Sequence, residues 1–471
     1  MKLIIILCLS VLFVYFEGAM AQSITWEKTY GYPHSDEGAY DICETEDGNF
    51  YVVGYSGINF STGRMYVLRI NNFGDTLWTR KYNAGHYAYS VVPTNDNGCV
   101  MTGYGLDSLF IMKIDFNGNV VWQKKYPNGG ICYDIQSVSD GGYIACGNNI
   151  FDAYFIKVDS IGNLEWEKSF SVSNQMGFYS CIEAIDGGYI AGGYVRDPDT
   201  TKIELMKLDI NGILKWEKRV KISGSYSALT SIRIVGNHYL LFGISSRIFF
   251  AKFNINGIQE TVYLFPDENE GPESLPAADM INDNKFVFTS QIYPPTGNIM
   301  FVRNWISDST GKILYEKFYP TEGYMSLNTI LPLQNRDILF AGIYKLIPGS
   351  NDDQTFIVKS DSTLYSKPVS IFNTSDKIPE TFYLFQNYPN PFNPTTKISY
   401  SIPVSGNISI RIYDLTGKEV RTLVNEFKST GCYDVEFDGS GIASGVYFYK
   451  LDVIGKDGND FVMTKRMVLL K

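Results

Sequence analysis

Three histidines, His34, His86 and His238, are the only imidazoles in the 471-residue chain. They show neither H-x-x-x-H nor H-E-x-x-H spacing, so no zinc site of that kind is expected. No G-x-S-x-G elbow supports a Ser-His-Asp set, and no P-loop is present. Gly192-Gly193-Tyr194 follows a strand-like run, but no helical pattern comes after it, which removes a dinucleotide reading. Paired carboxylates could cleave a glycosidic bond. Most Asp and Glu residues, however, occupy turns that recur along the chain. Two acidic stretches are irregular: Pro266 to Glu273 (PDENEGPE) and Arg196 to Thr200 (RDPDT). Both read as solvated loops, with a cation or ligand loop as the alternative, and neither follows the ligand order of an EF-hand. No catalytic, cofactor-binding or metal-ligating residue is assigned, and the one cofactor considered is a structural calcium ion. Cys43, Cys99, Cys132, Cys146, Cys181 and Cys432 are spaced irregularly and read mostly as small buried residues. Cys132 and Cys146 are expected on neighbouring strands and could form a disulfide.

The elements that position these side chains are strands. Gly (43), Tyr (34) and Phe (30) are abundant while only 19% of residues are charged, a balance that favours strands and tight turns. The length calls for two or more domains. A net charge of −10 argues against nucleic acid, which needs a basic footprint. Met1-Lys2, an apolar run from Leu3 to Phe16 and Ala19-Met20-Ala21 form a signal peptide over residues 1–21, with a mature start at Gln22. No other apolar run is long enough for a membrane span.

A repeat fills the first three quarters. Each unit has a strand, a DGG-type turn, a strand ending in Gly, a strand ending K-x-D, and a strand opening at Trp. The clearest copies are YDIQSVSDGGYIACG with YFIKVDSIGNLEWEKSF, then YSCIEAIDGGYIAGGY with IELMKLDINGILKWEKRV. The turn signature recurs before Trp78, Trp122, Trp166 and Trp216, and in altered form before Thr261, Tyr315 and Tyr365. Gly supplies positive φ in these turns, so each signature is a hairpin. A four-stranded unit cannot bury both faces alone, so units must stack. Residues 22–366 therefore read as a seven-bladed β-propeller. Ile24 to Tyr30 and Leu364 to Val369 compete for the last strand of the seventh blade. The repeated Trp residues read as packing, because one position recurs from blade to blade. Lys113, Lys157, Lys207, Lys252 and Arg69 read as partners of a neighbouring turn or strand. The repeat resembles propeller families with a D-x-x-G-x-x-x-W hairpin, quinoprotein-like repeats among them. It is also similar to the sialidase Asp-box, S-x-D-x-G-x-x-W, but has one more residue between Gly and Trp and usually lacks the Ser, so sialidase chemistry does not carry over.

Residues 367–383 read as a polar, Pro-containing linker. Beyond them Ile398 to Ile402, Ile408 to Tyr413, Tyr433 to Phe437, Val446 to Asp452 and Met463 to Leu470 are strand-like, which makes a small Ig-like β-sandwich. The fold class is thus all-β: a seven-bladed propeller followed by that sandwich. Residues 384–471 are identified as a member of the type IX secretion C-terminal sorting domains, type A, of the Bacteroidetes and related groups. The resemblance rests on Asn387, Tyr388, Pro389, Asn390, Pro391, Phe392, Asn393 and Pro394, on Asp414 and Gly417 in the Y-D-L-T-G-K turn, on Gly445 and Tyr447 in S-G-V-Y, and on Lys465 and Arg466 in the basic tail. It implies transport across the inner membrane, docking to the outer-membrane type IX translocon as partner, and release or attachment at the cell surface. For the propeller, the expected partner is a glycan or protein ligand bound without catalysis. The alternative is a secreted hydrolase or lyase whose acidic or basic side chains converge from several blades in the central funnel.

Overall fold

The computed structural model describes residues 25–31, 36–57, 63–105, 108–149, 152–171, 175–265, 277–292, 301–320, 324–345, 353–366, 382–384, 387, 392–402, 404–429, 431–455 and 460–470. The expected signal peptide, the 266–273 acidic stretch and Tyr388 to Pro391 lie outside these residues. Every regular element described is a β-strand.

Seven four-stranded antiparallel sheets form the first part. Their first strands are Glu37–Glu44, Tyr87–Pro93, Ile131–Ser137, Met176–Glu183, Ala228–Val235, Ala277–Asn282 and Tyr324–Pro332. Each packs against the first strand of the next sheet, and the seventh packs against the first, so a ring closes around a channel. These sheets are blades 1 to 7 below. Trp26–Tyr30 settles the competition for the last strand. It pairs with Asp353–Ser360, Trp26 opposite Lys359 and Tyr30 opposite Thr355, and joins the two ends of the ring.

Neighbouring blades bury both faces of their middle strands. Asp152–Val158 is buried almost throughout, while no residue of the outermost strand Leu164–Phe170 is fully buried. One core joins Val100, Leu109 and Ile111 of blade 2 to Ile135, Ala145 and Ile156 of blade 3. Each fully buried Val, Leu or Ile side chain there contributes about 1.5–3 kcal/mol.

The outer hairpins explain the D-x-x-G-x-x-x-W signature. Asp159 accepts the N–H groups of Ile161 at 3.0 Å and Asn163 at 2.8 Å, and Gly162 takes φ of 79°. Trp166 then crosses to the next blade, where its indole N–H donates to the Ile210 carbonyl at 3.1 Å. A Cβ on Gly212 would lie 2.8 Å from that ring. Trp26 covers Gly74 and Trp78 covers Gly118 in the same way. In blade 5, Thr261 stands opposite Lys252 where Trp216 stands opposite Lys207 in blade 4, and Tyr263 takes over the covering role, resting on Gly311. The third-strand cation holds the DGG-type turn of its own blade: Lys113 to Asp96, Lys157 to Asp140 and Lys207 to Asp186, all at 2.8 Å.

The C-terminal part is two facing sheets. One orders Glu419–Lys428, Gly406–Tyr413, Gly445–Gly455 and Asp460–Leu469; the other orders Tyr383–Leu384, Thr395–Ile402 and Gly431–Asp438. Ile398, Tyr400, Ile410, Phe437, Tyr449 and Leu451 fill the space between them.

Candidate functional site

The channel takes its character from one repeated irregularity. In six blades the first strand slips register by one residue, and the residues skipped are Tyr40, Tyr89, Tyr133, Tyr179, Thr230 and Asn328. A bulge re-aims the side chain it carries. It also brings the two backbones close. The second strand carries Gly54, Gly103, Gly147, Gly193, Gly243 or Gly342 opposite the residue before the skipped one, and a Cβ there would meet a first-strand carbonyl oxygen at 1.8–2.3 Å. Blade 6 has Thr289 at this place, and its strand has no slip there.

The bulges put four tyrosines from consecutive blades in a crescent at one mouth of the channel. Ring centroids are 4.9 Å apart for Tyr40 and Tyr89, 5.5 Å for Tyr89 and Tyr133, and 5.1 Å for Tyr133 and Tyr179. Tyr55, Tyr87 and Tyr194 pack behind them. All seven rings are half-buried. Burial pushes the phenols of Tyr40, Tyr89, Tyr133 and Tyr179 above their ordinary pKa, so they stay neutral. Among the described residues no hydrogen-bond partner holds those four hydroxyls, whereas Tyr55 donates to Asp353 Oδ2 at 2.7 Å. The remaining blades offer the small residues Thr230, Ala278 and Asn328.

Below the crescent lies a polar ring made by the next residue of each strand: Asp41, Ser90, Asp134, Ser180, Ser231, Asp279 and Thr329. Together with the tyrosines it encloses a cavity of about 370 Å³. Asp41 accepts from Val91 N and Ser90 Oγ at 3.0 Å and from Thr329 Oγ1 at 2.9 Å. Asp134 accepts from Cys181 N at 2.9 Å, and Ser180 Oγ accepts from Ile232 N at 3.2 Å. Each such side chain reaches a backbone N–H of a following blade, so the ring ties blades together. Burial pushes Asp41 up to about 6 against those hydrogen bonds, and raises Asp134 as well. Arg233 pairs with Asp279 through two bonds, Nε at 2.7 Å and Nη2 at 2.8 Å.

None of these residues was singled out from the sequence. The signal was present: Tyr-Asp-Ile, Tyr-Ser-Val, Tyr-Asp-Ile and Tyr-Ser-Cys recur at 40–42, 89–91, 133–135 and 179–181, each with a Gly closing the following strand. The cysteine expectation needs correction. The bulge at Tyr133 sets Cys132 opposite Gly147 and Asp134 opposite Cys146, so Cys132 faces blade 2 and Cys146 faces blade 4. Cys43, Cys99, Cys132, Cys146 and Cys181 are free thiols in this structure. In the Arg196 to Thr200 stretch, Asp197 pairs with Lys202.

In the C-terminal part, Asn387 is buried; its N–H donates to Tyr449 Oη at 2.8 Å and its amide to Thr396 Oγ1 at 3.0 Å. Phe392 is buried beside Phe437 and exchanges backbone bonds with Val468 and Leu470 of the final segment. Asn393 and Pro394, joined by a cis peptide, are exposed. Asp414 accepts from Thr416 Oγ1 at 2.6 Å, Lys418 N at 3.0 Å and Thr416 N at 2.8 Å, bonds that hold its pKa below the usual range, the hydroxyl bond foremost, and Gly417 takes φ of 80°. Gly445 opens its strand, and Tyr447 Oη donates to the Ala443 carbonyl at 2.7 Å. Lys465 and Arg466 lie on the last strand, opposite Tyr449 and Phe448. The N-terminal motif thus packs onto the C-terminal strand.

Residues 386–469 match the family described as secretion system C-terminal sorting domain. The tail is a type IX sorting domain. A chain carrying this sorting domain is secreted or held at the outer-membrane surface, and the sorting domain engages the type IX secretion system. No curated protein matches the chain. Among solved structures, the chain is similar to the WD40 β-propeller domain of Doa1, with 15% identity and a TM-score of 0.44 over 70% of this chain and 94% of that one. It is also similar to a protein from Lactobacillus plantarum, with 12% identity and a TM-score of 0.45 over 83% and 99%. A third is the extracellular domain of the putative one component system BT4673 from B. thetaiotaomicron, with 11% identity and a TM-score of 0.34 over 92% and 68%. Among the described residues no helix is long and apolar enough to cross a membrane.

Proposed function

We propose that residues 22–366 are a non-catalytic binding domain that the sorting domain, over residues 384–471 after a 367–383 linker, delivers to the cell surface. Its site is the tyrosine crescent, and its ligand is a neutral polysaccharide. The observation that carries this reading is the set of four half-buried rings with unengaged hydroxyls around an open cavity. Ring faces stack on the C–H faces of sugars, and phenol hydroxyls both donate and accept. The crescent itself carries no charge, which suits an uncharged, hydroxyl-rich chain. Titration calorimetry of the mature protein against neutral and uronic-acid polysaccharides tests it. Saturable binding to a neutral polymer that is weakened in Tyr89→Ala and in Tyr133→Ala is expected; binding to none, or binding unchanged in both variants, refutes it. For export, a chain ending at Thr381 should accumulate in the periplasm; normal surface delivery would refute that part.

One observation favours a hydrolase instead: Asp41, with its raised pKa, and Asp134 converge beside Ser90. Their oxygens are committed to backbone N–H groups of following blades, which supports a structural role. Release of reducing ends that disappears in Asp41→Asn would establish the hydrolase.

A further inference from the structure

Among the described residues, one group of metal- or redox-competent side chains comes together. It comprises Asp134 and Cys146 of blade 3 and Cys181 of blade 4, with their ligand atoms all within 4.8 Å of one another. Both cysteines are fully buried thiols. Cys146 sits on the second strand of blade 3 with its side chain in the core shared with blade 4, where Cys181 also lies. The main chain of Cys181 is held in place, since its N–H donates to Asp134 Oδ2 at 2.9 Å.

The geometry points to an inter-blade disulfide between Cys146 and Cys181, formed during export. A secreted chain crosses an oxidising compartment, where adjacent thiols do not persist as they do in the cytosol. A metal is the weaker occupant of this place. Three ligands leave a tetrahedral site incomplete, and Asp134 already accepts from Cys181 N and from Gln136 Nε2 at 2.9 Å. Burial also raises both thiol pKa values, which disfavours the thiolates a metal needs.

The step is thiol–disulfide exchange with a disulfide-bearing oxidant. One cysteine thiolate attacks the oxidant's disulfide, breaking its S–S bond to leave a mixed disulfide and one oxidant thiol; the second thiolate attacks the protein sulfur of that mixed disulfide and expels the oxidant's other sulfur. Two S–H bonds are lost and one S–S bond forms. Two electrons and two protons pass to the oxidant, which leaves as a dithiol. Because both sulfurs are sealed in the finished ring, the exchange must precede the packing of blade 4 on blade 3. The bond would then lock that pair, the same pair that carries Tyr133 and Tyr179.

The test uses natural protein recovered from the medium of secreting cells, denatured with an alkylating agent and no reductant, then digested and weighed. A peptide pair linked through Cys146 and Cys181, about 2 Da lighter than the sum of its thiol forms, is expected, with Cys43, Cys99 and Cys132 alkylated. Alkylation of both Cys146 and Cys181, linkage of either to another cysteine, or one equivalent of metal released by a thiol reagent would overturn it. The measurement needs no variant, so a folding defect cannot obscure it.

Discussion

The two faces of the ring are built differently. On one face the chain turns tightly. Asp, Asn and Gly close hairpins with local bonds, Lys or Arg holds the first turn in blades 1 to 4 and 7, and an aromatic ring from the preceding blade covers the second. Those indoles are packed: the face of each lies on a glycine, the N–H of Trp26, Trp78 and Trp166 is bonded to a carbonyl, and that of Trp122 is buried without a partner among the described residues. On the other face four aromatics also recur, but their hydroxyls have no partner among the described residues and the rings border a cavity. Recurrence alone therefore does not distinguish packing from recognition. What distinguishes them is whether the ring borders a cavity, because an unengaged polar group beside a cavity retains capacity for a ligand.

Substitutions on the two faces should then separate stability from binding. The largest loss is expected for Gly212→Val, where positive φ and a ring 2.8 Å from the new Cβ combine. It should cost about 3 kcal/mol or more in urea unfolding of the mature chain. Trp166→Ala follows at about 2–3 kcal/mol, since the ring is only partly buried. Next comes Asp41. Its folded pKa near 6 lies above the ordinary 3.8, so the folded ring favours the protonated form. The stability it contributes is complete below about pH 4 and is lost as pH rises through 6, by at most about 2–3 kcal/mol. Unfolding midpoints from pH 4 to 7 should fall in the natural chain, and less steeply in Asp41→Asn. The smallest effect on folding belongs to Tyr133→Ala, about 1 kcal/mol. It should nevertheless weaken polysaccharide binding about three- to tenfold. A Tyr133→Ala chain as unstable as Trp166→Ala would erase the distinction between the faces.

Much of the architecture was legible because it is local. The DGG and D-x-x-G turns announce themselves through residues that favour positive φ or bond their own backbone, as Asp159 and Gly162 do. The same chemistry appears at Asp414 and Gly417 in the sorting domain. The strand Glu419–Lys428 did not stand out, because its side chains are mostly exposed and charged or polar, so no apolar period marks it. The tyrosines were passed over because they sit within strands rich in other aromatics. Only their relation to the glycine across the strand, seen in Tyr133 with Gly147, reveals a bulge.

From the sequence alone come the hairpin repeat, the blade-to-blade aromatic and the sorting tail, each encoded within a few neighbouring residues. Tertiary structure decided which strand closes the ring, which cysteines meet and where the tyrosines converge. Trp26 and Lys359, or Tyr40 and Asn328, are hundreds of residues apart in the chain. Their meeting depends on how every blade between them twists and packs, and no local pattern carries that sum.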